Sequence, residues 1–426
     1  MIENINIKGL FGSFDYDLSL PQPGNYLIIT GPNGYGKTTL LKIIDALSVG
    51  DLLSLYDIPF AKISVKFPEG CLQIDSEHVS PEGVDDIPLD SERELRLYFQ
   101  DAPEITISIT STIINTANQS SGSLYSLPSI SSKGYWKDLY FDNDDEFEES
   151  TVTKRKELLK KIVAMQAQDA FLIRYNATLQ DSRICESNRL YNKEDSERPA
   201  IEAAAADIKN YLRDNYISFL QNSQKRDSSF IDTLLTGSET ITESDYYKRR
   251  RELEEIIDNA KRYDLINNFT LPDYIADKAV ILRYYIDESE KKLSVYDKPL
   301  KELSLFTELV NKKRMVNKRL RVNRRSGISF ESNSGVRYIP LEKLSSGEQH
   351  EIVLLHDFIF NLPDGSLLLV DEPEISLHVA WQHEFMNDLQ RIAKQKNLIV
   401  IIATHSPQII GERWDECYDL KEETDQ

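Results

Sequence analysis

Gly31-Pro32-Asn33-Gly34-Tyr35-Gly36-Lys37-Thr38-Thr39 decides the fold of this chain because of what stands on either side of it. Before it runs the apolar stretch Tyr26-Leu27-Ile28-Ile29, which reads as a strand; after it, Leu40-Leu41-Lys42-Ile43-Ile44 reads as a helix. Strand, Gly-rich loop and helix in that order make a phosphate cradle. Glycines at 31, 34 and 36 let the backbone, Asn33 included, close around phosphate oxygens, and the amides meet the anion at the positive helix N-terminus through Thr39. Lys37 supplies a mobile charge for β- and γ-phosphates, and Thr38 a hydroxyl for Mg²⁺.

At 426 residues the chain accommodates one large domain with an insertion, or two to three structural units. Acidic residues outnumber basic ones, 70 to 50, and the net charge of −20 argues against a surface that coats nucleic acid indiscriminately. A local basic groove stays open. Cys71, Cys185 and Cys417 match no zinc or redox spacing, which suits a reducing cytoplasm. Met1 to Lys8 alternates like a strand and lacks the order of a signal peptide, and no apolar run approaches the ~20 residues that span a bilayer. The expectation is a cytoplasmic protein without a membrane anchor.

Outward from the cradle, residues 1–117 read as an N-terminal lobe. It starts with strands through Ile7 and around Phe14 to Leu20, and later has a hairpin of 61–67 and 72–75 about Pro68-Glu69-Gly70. Gln73 and Gln100 are both candidates for a glutamine that senses Mg²⁺ and water, and the sequence does not choose. Residues 118–150, rich in Ser and Gly and then acidic from Asp142 to Glu149, read as an exposed loop. From 151 to 325 the pattern turns helical. Leu158, Leu159, Ile162 and Val163 show it, then Ile256, Ile257 and Ala260, and Ala279 to Leu309 suits a helical hairpin or short coiled coil. Lys312, Lys313, Arg314, Lys318, Arg319, Arg321, Arg324 and Arg325 form one basic segment. It admits a contact with a nucleic-acid backbone, a solvated face of an amphipathic helix, or a pairing with the acidic loop.

Residues 326–426 hold three further motifs. Ser345-Ser346-Gly347-Glu348 stands ahead of the helical run Ile352 to Phe358. It forms either a second anion nest or an ordinary capping box. Leu367 to Val370 is an apolar strand ending in Asp371-Glu372, which delivers two carboxylates to the C-terminal edge of a parallel sheet, where nucleotides bind. Asp371 suits the Mg²⁺ shell; Glu372, beside it, can polarise the attacking water. A second apolar strand, Leu398 to Ala403, brings His405 to the same edge.

GPNGYGKTT at 31, LSSGEQ at 344, LLLVDEPEISLH at 367 and ATHSP at 403 resemble the ABC-type ATPases, in the branch with SMC-like, OLD-like and bacterial anti-phage defence ATPases. The resemblance covers roughly 1–76 and 327–420. It implies an α/β fold, an ABC-type P-loop ATPase domain with a mixed sheet, interrupted by a mainly helical insertion. It implies ATP and Mg²⁺ as cofactors, and a homodimer or higher homo-oligomer in which Ser345, Ser346, Gly347 and Glu348 of one copy close over the nucleotide held by Lys37 of another. Ser346 and Glu348 depart from the commonest signature, which has glycine and glutamine there, and His378 replaces a usual aspartate. LSSGEQHEIVLLHDFIF, EISLHVAWQHEF and THSPQIIGERWDECYDL look most like the ATPases of PARIS anti-phage systems. That implies a separate TOPRIM-type nuclease effector, sequestered until a phage-encoded trigger releases it; the end of the chain soon after Leu420 fits a separate effector. A Septu-type ATPase with an HNH nuclease is the runner-up, followed by an SMC-like DNA-repair ATPase. A transporter motor is disfavoured.

Overall fold

A computed structural model describes residues 2–49, 52–68, 70–79, 92–100, 102–109, 170–174, 199–312, 317–332, 338–375, 377 and 379–421. The acidic loop, the apolar positions from Leu158 to Val163, Cys185, Lys313, Arg314 and His378 lie outside the described residues. Two compact units emerge, 1–191 with 362–426, and 192–361.

The first unit begins with β1 (Asn4–Leu10), β2 (Phe14–Ser19), β3 (Tyr26–Thr30) and α1 (Lys37–Val49). Then come β4 (Lys62–Phe67), β5 (Gly70–Val79), β6 (Glu92–Phe99), β7 (Ala102–Ile109) and β8 (Ala170–Arg174). The second unit holds α2 (Ala200–Thr236), α3 (Glu243–Arg262), α4 (Ala279–Leu293) and α5 (Asp297–Asn311), then β9 (Lys318–Asn323), β10 (Gly327–Ser332), β11 (Tyr338–Ile339) and α6 (Ser346–His356). The chain returns to the first unit with β12 (Leu367–Asp371), α7 (Val379–Lys396), β13 (Ile399–Ala403), α8 (Pro407–Ile410) and β14 (Cys417–Asp419).

Two sheets build the first unit. One is antiparallel, ordered β2-β1-β4-β5-β6-β7; the other is parallel, ordered β14-β3-β13-β12-β8. The alternation of Ile5, Ile7 and Leu10 along β1 turns one face inward, toward a core shared with Leu40, Leu41, Ile43 and Ile44 of α1. Leu369 and Ile401 of the parallel sheet join that same core. β12 and β13 are buried at every residue, as a sheet covered on both faces requires, and so they read as unbroken apolar runs. The α/β P-loop ATPase fold that the resemblance implies is present.

β8 departs from the sequence reading. Residues 170–174 fall where a continuous helical insertion was expected, yet they pair in parallel with β12, Leu172 opposite Leu369. Ala-Phe-Leu-Ile-Arg is too short for its period to separate strand from helix.

In the second unit, α3 buries Tyr246, Leu253, Ile257 and Ala260, spaced by sevens, fours and threes to make one stripe. α4 packs on α2 and α3 and passes through a tight turn at Ser294–Tyr296 into α5. Part of the basic segment differs from the helix considered for it: Lys318 to Asn323 is a strand, with Leu320 and Val322 inward and Arg319 and Arg321 outward. β10 begins at Gly327, where φ is +70° and a Cβ would stand 1.8 Å from the Ala205 carbonyl oxygen of α2, so only glycine fits. Among the described residues no helix is long and apolar enough to cross a membrane.

Candidate functional site

The order of the parallel sheet assembles the site. β13 lies between β3 and β12, so the segments leaving the C-terminal ends of all three strands arrive side by side. They are the cradle, Thr404-His405, and Asp371-Glu372.

Gly31, Gly34 and Gly36 take φ values of 148°, 94° and 83°, a region in which other residues are strained. Gly36 also needs its missing side chain, since a Cβ would meet the Phe11 ring at 3.2 Å and Leu10 at 3.3 Å. α1 starts directly after it, the Leu40 N–H donating to the Gly36 carbonyl at 2.8 Å. The free amides of its first turn therefore face the loop. Lys37 is 5% exposed, and its ammonium donates to the carbonyls of Gly31 (2.9 Å) and Pro32 (3.3 Å).

The Thr38 hydroxyl donates to Asp371 Oδ2 at 2.9 Å, joining the cradle to the end of β12. These two oxygens, one neutral and one anionic, suit Mg²⁺, which takes one or two protein ligands and fills the rest of its octahedron with water and phosphate. Among the described residues no group of three or more His, Cys, Asp or Glu is placed to hold a metal ion.

Glu372 follows with φ +46°, a left-handed conformation that costs a non-glycine residue roughly 1–2 kcal/mol. Its N–H donates to the Ala403 carbonyl at 2.8 Å, so the strained residue is fastened to β13. Glu372 Oε1 lies 3.9 Å from Nδ1 of His405. His405 is half exposed, where a group that meets substrate has to be.

Sequence reasoning missed Glu374. Its carboxylate, about nine-tenths buried, accepts the Thr404 hydroxyl at 2.8 Å and the His405 backbone N–H at 3.1 Å, and stands 3.1 Å from His405 Nδ1. Gln382 of α7 supports the same turn. Its amide donates to the carbonyls of Glu374 (3.2 Å) and Leu377 (3.1 Å), and its oxygen accepts from Ser406 at 3.1 Å. A glutamate three residues beyond Asp371 carries no motif signal in a single sequence; only the β12–β13 register brings it under His405.

Ser345, Ser346, Gly347 and Glu348 belong to the second unit, at the start of α6. A capping box is present at this helix start. Ser345 Oγ accepts the Glu348 N–H at 3.3 Å, and Glu348 Oε2 accepts the Ser345 N–H at 2.7 Å. Lys318 of β9 grips both Glu348 oxygens, at 2.8 and 2.7 Å. Burial pushes the Glu348 carboxyl up, but Lys318 and the Ser345 amide outweigh it and hold the group below the usual range. Gly347 remains open, with nothing within 4 Å of a built Cβ.

Of the described cations in the basic segment, Lys312, Lys318, Arg321 and Arg324 are paired within their own unit. Arg321 meets Glu331 at 3.0 Å; Arg324 meets Asp264 at 3.5 Å and covers the Tyr216 ring at 3.8 Å. Gln73 accepts from Tyr98 at 3.0 Å within the antiparallel sheet, and Gln100 lies exposed in the turn after β6.

Residues 1–410 match the model of the AAA ATPase domain family, AAA_15. Protein ea59 of Escherichia phage lambda is 32% identical over 77 residues, 18% of this chain; the chain thus spans only 15% of that relative's length. The SMC head domain of Thermotoga maritima aligns over 98% of this chain and 92% of its own, at 12% identity and a TM-score of 0.33. The Smc head of Pyrococcus furiosus, with an extended coiled coil and bound to the C-terminal domain of ScpA, aligns over 96% and 90%, at 13% identity and a TM-score of 0.36. Similarity that low leaves the family match and the motif geometry to carry the assignment. With the Lys37 cradle, the Thr38–Asp371 pair and the Glu372–His405 edge all inside the matched span, the chain belongs to the AAA ATPase domain family and has its P-loop fold.

Proposed function

We propose that this chain binds ATP with Mg²⁺, hydrolyses it between two copies of itself, and uses that cycle to hold and release a separate effector protein. The observation that carries the hydrolytic part is the Thr38–Asp371 hydrogen bond, which sets a metal-binding oxygen pair beside a strained glutamate and a histidine. Bound there, Mg²⁺ would draw charge from the β- and γ-phosphate oxygens. Lys37 complements the same charge, Glu372 accepts a proton from the attacking water, and His405 orients that water or the γ-phosphate.

The active site is shared in this reading. Ser345, Ser346, Gly347 and Glu348 form the N-terminus of an 11-residue helix, and the open flank of Gly347 gives phosphate oxygens an approach. Ser345 and Gly347 of one copy would face the γ-phosphate held by Lys37 of the other, and Glu348 would fix the shape of that helix end rather than touch phosphate. Mixing tests this. Lys37→Ala and Gly347→Asp should each be inactive, yet an equimolar mixture should recover about a quarter of wild-type turnover, because half the dimers then carry one intact site. An inactive mixture would place both motifs in one copy's site.

The effector part rests on the resemblance of the three C-terminal segments to the PARIS ATPase, AriA. On that basis the protein is an anti-phage sensor and scaffold in the cytoplasm, sequestering a TOPRIM-type nuclease until a phage-encoded protein triggers release. A Septu-type pairing with an HNH nuclease, or DNA repair, are the alternatives. Co-purification with the neighbouring gene product, with and without ATP, decides: an ATP-dependent complex with a nuclease supports the reading, and none at either condition ends it.

A further inference from the structure

We infer that Glu374 is a positioning residue which fixes the tautomer of His405, placing the proton on Nδ1 and leaving Nε2 as a hydrogen-bond acceptor. The inference deepens the proposed ATPase reading and rests on it for its catalytic consequence, though not for the tautomer itself. Two carboxylates face the same ring nitrogen: Glu374 Oε1 at 3.1 Å from Nδ1, and Glu372 Oε1 at 3.9 Å. A lone pair on Nδ1 would meet negative charge from both; an N–H there is attracted by both. Which ring nitrogen carries the proton is set by what its partner faces. Glu374 can hold this pose because its other interactions are fixed, the Thr404 hydroxyl donating to Oε2 and the His405 N–H to Oε1. Ser406 closes the turn by donating its N–H to Thr404 Oγ1 at 3.0 Å. The carboxylate therefore orders the backbone at the end of β13 and the ring that projects from it.

The consequence concerns direction. Nδ1 is the ring nitrogen that both carboxylates approach, and with the proton there Nε2 of the neutral histidine bears the lone pair. Such a nitrogen accepts from the attacking water and cannot donate to a phosphate oxygen. His405 then cooperates with Glu372 in orienting water, while Lys37 and the amides of the cradle meet the phosphate charge.

Selective ¹⁵N-histidine labelling and long-range ¹H–¹⁵N correlation at about pH 8.5, above the ordinary histidine range, read the tautomer directly. The six histidines are assigned by subtracting the spectrum of His405→Gln. Wild type should show His405 as Nδ1–H; Glu374→Ala should move it toward Nε2–H, whereas Glu372→Gln should not, since its oxygen is the more distant. In parallel, Glu374→Ala should lower kcat roughly 10-fold or more and shift KM for ATP less than about two-fold. Nε2–H in the wild type overturns the inference, as does a Glu374→Ala protein with unchanged tautomer or unchanged kcat. Should Glu374→Ala not fold, the wild-type spectrum and the Glu374→Gln variant still decide. A wild-type protein without ATPase activity would remove the proposed function but leave the tautomer measurement standing.

Discussion

Lys37 has its ammonium folded onto two carbonyls of its own loop, so the charge sits at the centre of the cradle with almost no contact with solvent. Lys37→Ala should weaken ATP binding by roughly 100-fold or more, about 3 kcal/mol; titration with a fluorescent nucleotide checks it, and unchanged affinity would remove the cradle assignment. Glu372→Gln should keep ATP and lose turnover, because the amide cannot take a proton while its shape is preserved. Residual wild-type hydrolysis in that variant would place the base elsewhere. At this scale the sequence was highly legible where chemistry is written in consecutive residues: Gly31 to Thr39, Asp371-Glu372 and His405 each end or follow an apolar run that marks its strand. Glu374 was not legible. Its role depends on β12 and β13 lying in register, a relation between residues 30 positions apart that no spacing rule encodes.

α6 shows an element whose start is fixed from outside. Lys318, on a strand, reaches Glu348 and stiffens the capping box, so Lys318→Ala should cost about 1 kcal/mol of stability, comparable to losing a helix cap. The pair also sets a pH dependence. The Glu348 carboxyl titrates below its ordinary 4.5 in the fold, so its stabilisation is complete above that value and is lost as pH falls through the lower folded one. Thermal unfolding across an acid pH series should show this slope, and Glu348→Gln should flatten it. In the cradle, Gly36→Ala should destabilise by roughly 1–2 kcal/mol through its left-handed φ, with further loss from the contacts at Phe11 and Leu10. Legibility falls off for short elements. β8 has five residues and β9 six, three of them cations, so the one hid inside a helical reading and an amphipathic helix stood among the alternatives for the other. Periods need length, and five or six residues are too few to separate a period of 2 from one of 3.6.

For the whole molecule, a net charge of −20 and the internal pairing of Arg321 and Arg324 argue against DNA as the main ligand. Neutralising Lys318, Arg321 and Arg324 should leave DNA affinity within about two-fold at physiological salt; a steep salt dependence abolished by those changes would instead favour the DNA-repair alternative. Glu372→Gln with ATP should sediment as a larger species than with ADP, as a nucleotide held between copies requires. The sheet order bears on a different matter, the birth of the protein. β3 finds its two neighbours in β13 and β14, far along the chain, Ile28 pairing with Ile402 on one side and Cys417 on the other. During synthesis this apolar strand waits with both edges bare until those residues leave the ribosome, a topology that folds slowly and invites chaperones and misassembly. The loop that begins at Gly31 leaves a strand completed only by β13 and β14, so nucleotide binding becomes a sign that synthesis has passed Asp419.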